Sequence, residues 1–332
     1  MKIIITGGAG FIGSSLINLL IKKGHTVINI DSLTYAGNLK NLNFVEKHKN
    51  YFFIKSNICN KTKILEIFKK YNPNAIMHLA AETHVDNSIG KPNTFIRTNI
   101  NGTYNLLEAV RNFLSKKNKN FKFKFIHIST DEVYGSLASI GKFNEKTPYS
   151  PNSPYSASKA ASDHLVRAWY KTYKLPTIIT NCSNNYGPRQ FPEKLIPVII
   201  SRAIKNKQIP IYGKGKNIRD WIHVQDHVDA LYKILVKGKI GKTYNIGSEN
   251  EISNIDLAKK ICTLLDEIKP KKNSYKKQLA FVKDRLGHDY RYAINSNLIK
   301  KELAWKPKIK FNDGLKKTIK WYLKNHSYLK YK

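Results

Sequence analysis

Apolar residues in the first part of the chain follow two alternating rhythms. Short β-branched runs at 3–6, 26–30, 51–55, 75–80 and 121–129 predict buried strands. Between them, apolar positions recur three and four apart. This holds at 14–23, with Leu16, Leu19 and Leu20 inward, at 61–71, with Ile64, Leu65, Ile67 and Phe68 inward, and at 93–113. Strands alternating with helices predict an α/β fold, a Rossmann doubly wound parallel sheet with both faces covered. A further helix is predicted at 155–173, opened by Pro154 and capped by Ser153. After Tyr186-Gly187-Pro188 the alternation weakens. There 191–205 reads as a helix and 208–212 as a short strand, while 225–236 and 243–246 return to the sheet as helix and strand. No clean linker or internal repeat appears. We expect a Rossmann domain at 1–183 plus 224–249 and a smaller mixed α/β substrate-binding lobe at 184–223 plus 250–332.

The first strand runs into Gly7-Gly8-Ala9-Gly10-Phe11-Ile12-Gly13, and the second ends at Asp31. A dinucleotide-binding unit needs this order. Gly7 allows the tight turn, Gly10 lets the backbone approach a pyrophosphate, and Gly13 permits close helix–strand packing. The helix N-terminus supplies amide donors and positive dipole. Asp31 is placed to accept both ribose hydroxyls and to repel a 2′-phosphate, which favours NAD over NADP. Ligands of such sheets bind at the carboxyl ends of strands, where Asn57-Ile58, Ala80-Ala81 and Ser129-Thr130 fall.

Tyr155 and Lys159, four apart on a helix, project from one face. There the ammonium is expected to hold the phenol near ionisation, making a general base for an alcohol proton. Thr130 can hydrogen-bond the substrate hydroxyl and the phenol together. The adjacent Asp131 and Glu132 form a second acid/base couple that simple alcohol oxidation does not need, so oxidation coupled to another step is expected. A lone tyrosine, lysine or Asp-Glu pair is commonplace; their co-occurrence after the glycine turn carries the reading.

Charge changes the picture little. Lys and Arg number 58 against 23 Asp and Glu, a net +35 that would attract any polyanion. The lysines are scattered through every segment, with no zinc-finger spacing and no clustered basic arm, so no specific nucleic-acid partner is expected. A solvated basic surface that helps capture an anionic substrate suffices. A catalytically idle NAD-sensing or nucleic-acid-binding protein is the rival from another class, and the full catalytic set counts against it. Cys59, Cys182 and Cys262 are isolated, which argues against a disulfide framework or a bound metal. Met1 leads directly into a strand, leaving no room for a signal peptide, and no apolar run reaches spanning length, so reducing cytoplasm is expected.

The strings ITGGAGFIGS, DSLTYAGN, HLAAETHVD, TNINGTYNLLE, STDEVYG, SPYSASKAASDHLVRAW, NCSNNYGP, FPEKLIP, PIYGKGKNIRDWIHVQDH, YNIGS and DRLGHDYRYAI span nearly the whole chain. By them the chain resembles the extended short-chain dehydrogenase/reductases and, within these, the nucleoside-diphosphate-glucose 4,6-dehydratases. The resemblance implies a homodimer, its face built by the 93–113 and 155–173 helices. It implies a nucleotide-sugar substrate, dTDP-glucose favoured, with UDP-glucose or another nucleotide sugar (dehydrated or epimerised) as the alternative. Tyr155 would take the C4 hydroxyl proton, Glu132 the C5 proton, and Asp131 would protonate the departing C6 hydroxyl. NAD contacts then fall on Phe11, Ile12, Asp31, Ser32, Leu33, Thr34, Asn57, Ile58, Leu79, Ala80, Ala81, Thr83, Thr98, Tyr155, Lys159 and Asn185. Substrate contacts fall on Thr83, Thr130, Asn184, Lys194, Leu195, Pro210, Ile211, Tyr212, Arg219, Asn254, Arg285 and His288. Arginine forks suit a diphosphate. The chain departs from the family at Asn57, where an aspartate is usual, at Asn87 for arginine and at Leu286 for proline, and its 134–155 loop is short. The 284–292 segment is expected to close over the nucleotide.

Overall fold

The structure, a computed structural model, describes residues 1–329. Its first unit is β1 (Lys2–Thr6), α1 (Phe11–Lys22) and β2 (Thr26–Asp31), as the glycine turn and apolar spacing require. β3 (Tyr51–Lys55), α2 (Lys61–Tyr71) and β4 (Ala75–His78) repeat the alternation. Asn60 starts α2 by accepting from the Lys63 amide, and Asn72 ends it in the left-handed conformation. β4 stops at His78, two residues before the expected end, and Leu79–Ala81 becomes loop.

The helix expected over 93–113 is present without a break, but its hydrogen-bond register changes partway. After α3 (Val85–Gly90) come α4 (Pro92–Phe95), a π-helical stretch Ile96–Asn101, and α5 (Gly102–Ser115). The cause is tertiary. Asn99 is buried, its Nδ2 donates to the Glu82 carbonyl and to Ser158 Oγ, and its Oδ1 accepts from the Glu82 amide. A regular helix would not hold that side chain in place, and π-bulges gather at functional sites.

β5 (Lys124–Thr130), α6 (Pro154–Tyr173), β6 (Thr177–Cys182), β7 (Asn184–Tyr186) and α7 (Leu195–Ile204) follow. α6 is capped by a reciprocal pair: Ser153 Oγ accepts from the Ser156 amide, and Ser156 Oγ from the Ser153 amide. Next come β8 (Ile209–Tyr212), β9 (Ile218–His223), α8 (Val224–Lys237), β10 (Thr243–Ile246), β11 (Glu251–Ser253) and α9 (Asn254–Ile268). The chain continues with β12 (Leu279–Val282), α10 (Asn297–Leu303) and α11 (Phe311–Lys324).

Seven strands make one all-parallel sheet in the order β10-β6-β5-β4-β1-β2-β3. The order reverses between β1 and β4, the switch point where a doubly wound sheet opens a crevice. α1, α8 and α10 cover one face, and α2, α5 and α6 the other. A separate apolar cluster joins α7, β8, β9, α9 and α11. There β7, β9 and β11 form a small mixed sheet, and β8 pairs with β12. Ile299, Leu303 and Trp305, expected with the smaller lobe, pack instead on the core of the large sheet.

Candidate active site

The carboxyl ends of β1, β2, β4, β5 and β6 open into one cavity of about 820 Å³, roofed by α7, β8 and the 284–292 loop. It lies high in the usual range for small-molecule sites. Every candidate residue named above lines it except Leu33. Leu33 sits at φ +53 beside the wall, and its side chain packs on the core.

The cofactor end follows from backbone geometry. Gly7 has φ +74, and a Cβ there would meet the Ala80 backbone at 2.8 Å. At Gly13 a Cβ would meet the Gly7 carbonyl oxygen at 2.3 Å, so only glycine lets α1 sit that close to the turn. At Gly10 a Cβ would press on the Gly7 carbonyl oxygen at 3.3 Å and meet no other atom within 4 Å, so glycine keeps the space beside the α1 N-terminus clear. Gly8 is a glycine the sequence reading gave no role: a Cβ would strike Asn29 Oδ1 at 2.2 Å, the atom that accepts from the Gly8 amide. Asp31 is more engaged than expected. Its Oδ2 accepts from the Ala9 amide at 2.9 Å and its Oδ1 from the Leu33 amide at 2.8 Å. Each oxygen keeps a second lone pair for a ribose hydroxyl. Asn57 Oδ1 likewise accepts from the Cys59 amide at 2.8 Å. Cradle, helix terminus and carboxylate together fit NAD.

Around the reacting atoms, Thr130 caps the turn that carries Asp131 and Glu132, its Oγ1 accepting from the Glu132 amide at 3.3 Å. The Thr130 hydroxyl also acts on the Tyr155 phenol, favouring its ionised form. The phenol is not held near ionisation. Burial and the Glu132 carboxylate push Tyr155 well above the ordinary tyrosine range, against only the Thr130 hydroxyl. The Lys159 ammonium is turned instead to the Ile128 carbonyl, 2.8 Å away.

Asp131 is 1% exposed, and its Oδ2 has no partner. Burial, then the Glu132 and Asp220 carboxylates, push its carboxyl well up, with Arg219 opposing. Burial also raises Glu132, but Arg219 and Lys194 pull it back. Both acids are raised, Asp131 the more strongly, so Asp131 is the better held in its protonated form and Glu132 the more easily ionised.

The substrate end is bounded by cations already held in place. Arg219 lies 4.2 Å over the Tyr292 ring and donates to the carbonyls of Ile218, Asp289 and Tyr290. Lys194 Nζ donates to the Thr83 carbonyl at 2.8 Å. His288 Nδ1 meets Asp284 Oδ1 at 2.7 Å. Arg285 faces Tyr212 and makes a two-point ion pair with Asp86, Nε to Oδ1 at 2.6 Å and Nη2 to Oδ2 at 2.9 Å. Asp86 was not among the candidates, although it sits in the motif HLAAETHVD. Glu82, Glu193 and Tyr292 also line the cavity unforeseen, each inside a motif quoted above. Asn87 and Leu286 are exposed. Among the described residues no His, Cys, Asp or Glu cluster could hold a metal.

Residues 4–318 match the family model described as GDP-mannose 4,6 dehydratase. A dTDP-glucose 4,6-dehydratase of Salmonella typhimurium is 55% identical over 337 aligned residues, 98% of this chain and 93% of that protein. The crystal structure of the Bacillus anthracis dTDP-glucose 4,6-dehydratase in complex with NAD superposes with a TM-score of 0.89 at 44% identity, covering 99% of this chain and 100% of that one. A Streptomyces venezuelae dTDP-glucose 4,6-dehydratase with NAD bound gives 0.92 at 39% identity, with coverage of 99% and 100%. Cradle, Tyr-Lys helix and split acid pair therefore have their place: the chain belongs to the nucleotide-sugar 4,6-dehydratases, among which its named relatives are dTDP-glucose 4,6-dehydratases.

Proposed function

We propose that the protein converts dTDP-glucose to dTDP-4-dehydro-6-deoxyglucose, an NAD-dependent hydro-lyase reaction. One observation carries the reading. A buried carboxyl with a partnerless oxygen, Asp131, stands beside a second acid that cations keep ionisable. Tyr155, aligned by Thr130, takes the C4 hydroxyl proton. NAD, held by the glycine cradle and Asp31, would supply reversible hydride acceptance when bound. The 4-ketone acidifies C5, whose proton Glu132 removes, and Asp131 protonates the C6 hydroxyl so that water leaves. Arg219, Arg285 and Lys194 offset the diphosphate charge, while Pro210, Ile211 and Leu195 wall the base. Incubating the purified protein with dTDP-glucose should yield a product lighter by one water, without net NADH. Clean 4-epimerisation, or salt-sensitive DNA binding with no turnover, would refute it.

A homodimer accompanies this reading. Ile89, Ile96, Tyr104 and Tyr173 are 38%, 49%, 45% and 46% exposed on the α3–α6 face, an apolar set that a second copy would cover. Ile96→Asp should shift the sedimentation profile toward monomer. The separate apolar cluster supports a division into 1–183 plus 224–249 and 184–223 plus 250–332, with Ile299, Leu303 and Trp305 packed across it on the large sheet. Three cysteines without a disulfide suit a reducing cytoplasm, and no described helix is long and apolar enough to cross a membrane.

A further inference from the structure

α6 carries a third ionisable group in line with the first two. Tyr155, Lys159 and Asp163 are spaced four apart, so they share one face, and the last two are 4% and 0% exposed. A buried ammonium needs an opposite charge or it gives up its proton. The Ile128 carbonyl satisfies one donor of Lys159 but supplies no charge. His127, on β5, stands 3.1 Å from Asp163 Oδ1, and His78, on β4, lies behind it with ring centres 5.2 Å apart. Both rings are held well below the usual imidazole range by burial, so neither brings a positive charge. Tyr149, from the loop before α6, donates to Asp163 Oδ2 at 2.9 Å, and Ser129, Tyr134 and Cys182 stand nearby. Arg167, one turn further along α6, acts on Asp163 more weakly than Lys159 does. Lys159 and Asp163 make no direct ion pair, but the i, i+4 spacing on one buried face puts the Asp163 carboxylate a turn away, where its charge favours the ammonium.

We propose that Asp163 is a positioning residue for the alcohol oxidation: acting through Lys159, it keeps a fixed positive charge one helical turn from Tyr155. The proposal rests on the reading of Tyr155 as the base. Asp163→Asn keeps the shape and removes the charge. Lys159 then loses its proton at lower pH, so the alkaline limb of the kcat profile on dTDP-glucose moves to lower pH by about one unit or more. KM stays within about twofold of its original value, since Asp163 does not line the cavity. Asp163→Glu, which retains the charge, returns the limb toward its original position. Identical profiles for the Asn and Glu variants overturn the proposal.

A second readout does not depend on turnover. The phenolate absorbance of the NAD-bound protein is differenced against Tyr155→Phe in each background, and its midpoint rises in Asp163→Asn. An unchanged midpoint overturns the proposal. A wild type that shows this phenolate yet leaves dTDP-glucose untouched removes the substrate reading and leaves Asp163 to be decided by the titration. Because leaving one buried charge without its counterpart can unfold a chain, Lys159→Met and Asp163→Asn are also combined. The double variant should melt above Asp163→Asn alone, and a cycle without coupling counts against the pair.

Discussion

Replacing Asp131 by Asn separates two properties that usually fall together. The side chain is 1% exposed and flanked by the Glu132 and Asp220 carboxylates, so the folded protein holds its proton far more tightly than an unfolded chain, where the ordinary value is 3.8. For an acid with raised folded pKa the sign is fixed. Above about pH 4 the unfolded chain releases the proton first, so stability falls as pH rises toward the folded pKa and stays lowered beyond it. Each tenfold difference in proton affinity is worth about 1.4 kcal/mol. Asn has the shape of the protonated acid and no proton to lose. Asp131→Asn should therefore gain at least about 1 kcal/mol at neutral pH, a Tm rise of roughly 2–4 °C for a domain of this order, and no rise near pH 4. Turnover should meanwhile fall by roughly 10²–10⁴ through loss of the proton donor. Oxidation needs only Thr130, Tyr155 and Lys159, so the reduced-nicotinamide absorbance near 340 nm should accumulate on adding dTDP-glucose. Scanning calorimetry at the two pH values and stopped-flow absorbance test both halves. A variant less stable than wild type at both pH values, or one retaining turnover within tenfold, would show that Asp131 is not the buried neutral acid.

Glu132→Gln should leave oxidation intact but stop exchange of the C5 hydrogen with deuterated water, read by mass spectrometry of the recovered sugar nucleotide. Asp86→Asn frees the Arg285 edge that a diphosphate would use. With side chains 22% and 37% exposed, the pair is worth only about 1 kcal/mol, so KM should fall about fivefold while kcat holds. A rise in KM would mean that Asp86 aims Arg285 rather than competing for it. Gly7→Ala places a Cβ 2.8 Å from the Ala80 backbone at φ +74, so the purified protein should carry little NAD and melt several degrees lower.

The parts most legible in the sequence are those whose cause is local. Strand, glycine turn, helix and acid at 2–31 follow from short-range rules of backbone sterics and periodicity, and they stand where expected. The helix over 93–113 was legible but its π stretch was not, because that stretch holds Asn99, whose partners Glu82 and Ser158 come from elsewhere in the chain. Arg285 was recognised from its motif, but its partner lies 199 residues away and no periodicity connects them. The protonation of Tyr155 depends on which way Lys159 turns, and the i, i+4 spacing says only that the two share a face. Charge was legible in amount and not in meaning: a net +35 coexists with a reaction centre governed by a few buried acids.

The position of β10 bears on how the molecule comes into being. Synthesis delivers β1 to β6 in order, but the last strand of the sheet arrives only after β7, α7, β8, β9 and α8 have been made. Until then Thr177–Cys182, every residue of which is buried in the finished protein, is an open parallel edge. Such an edge is a template for another chain, and parallel pairing between distant segments is slow. The nascent protein is most exposed to aggregation in this interval, before Thr243 pairs with Ile179 and closes the sheet.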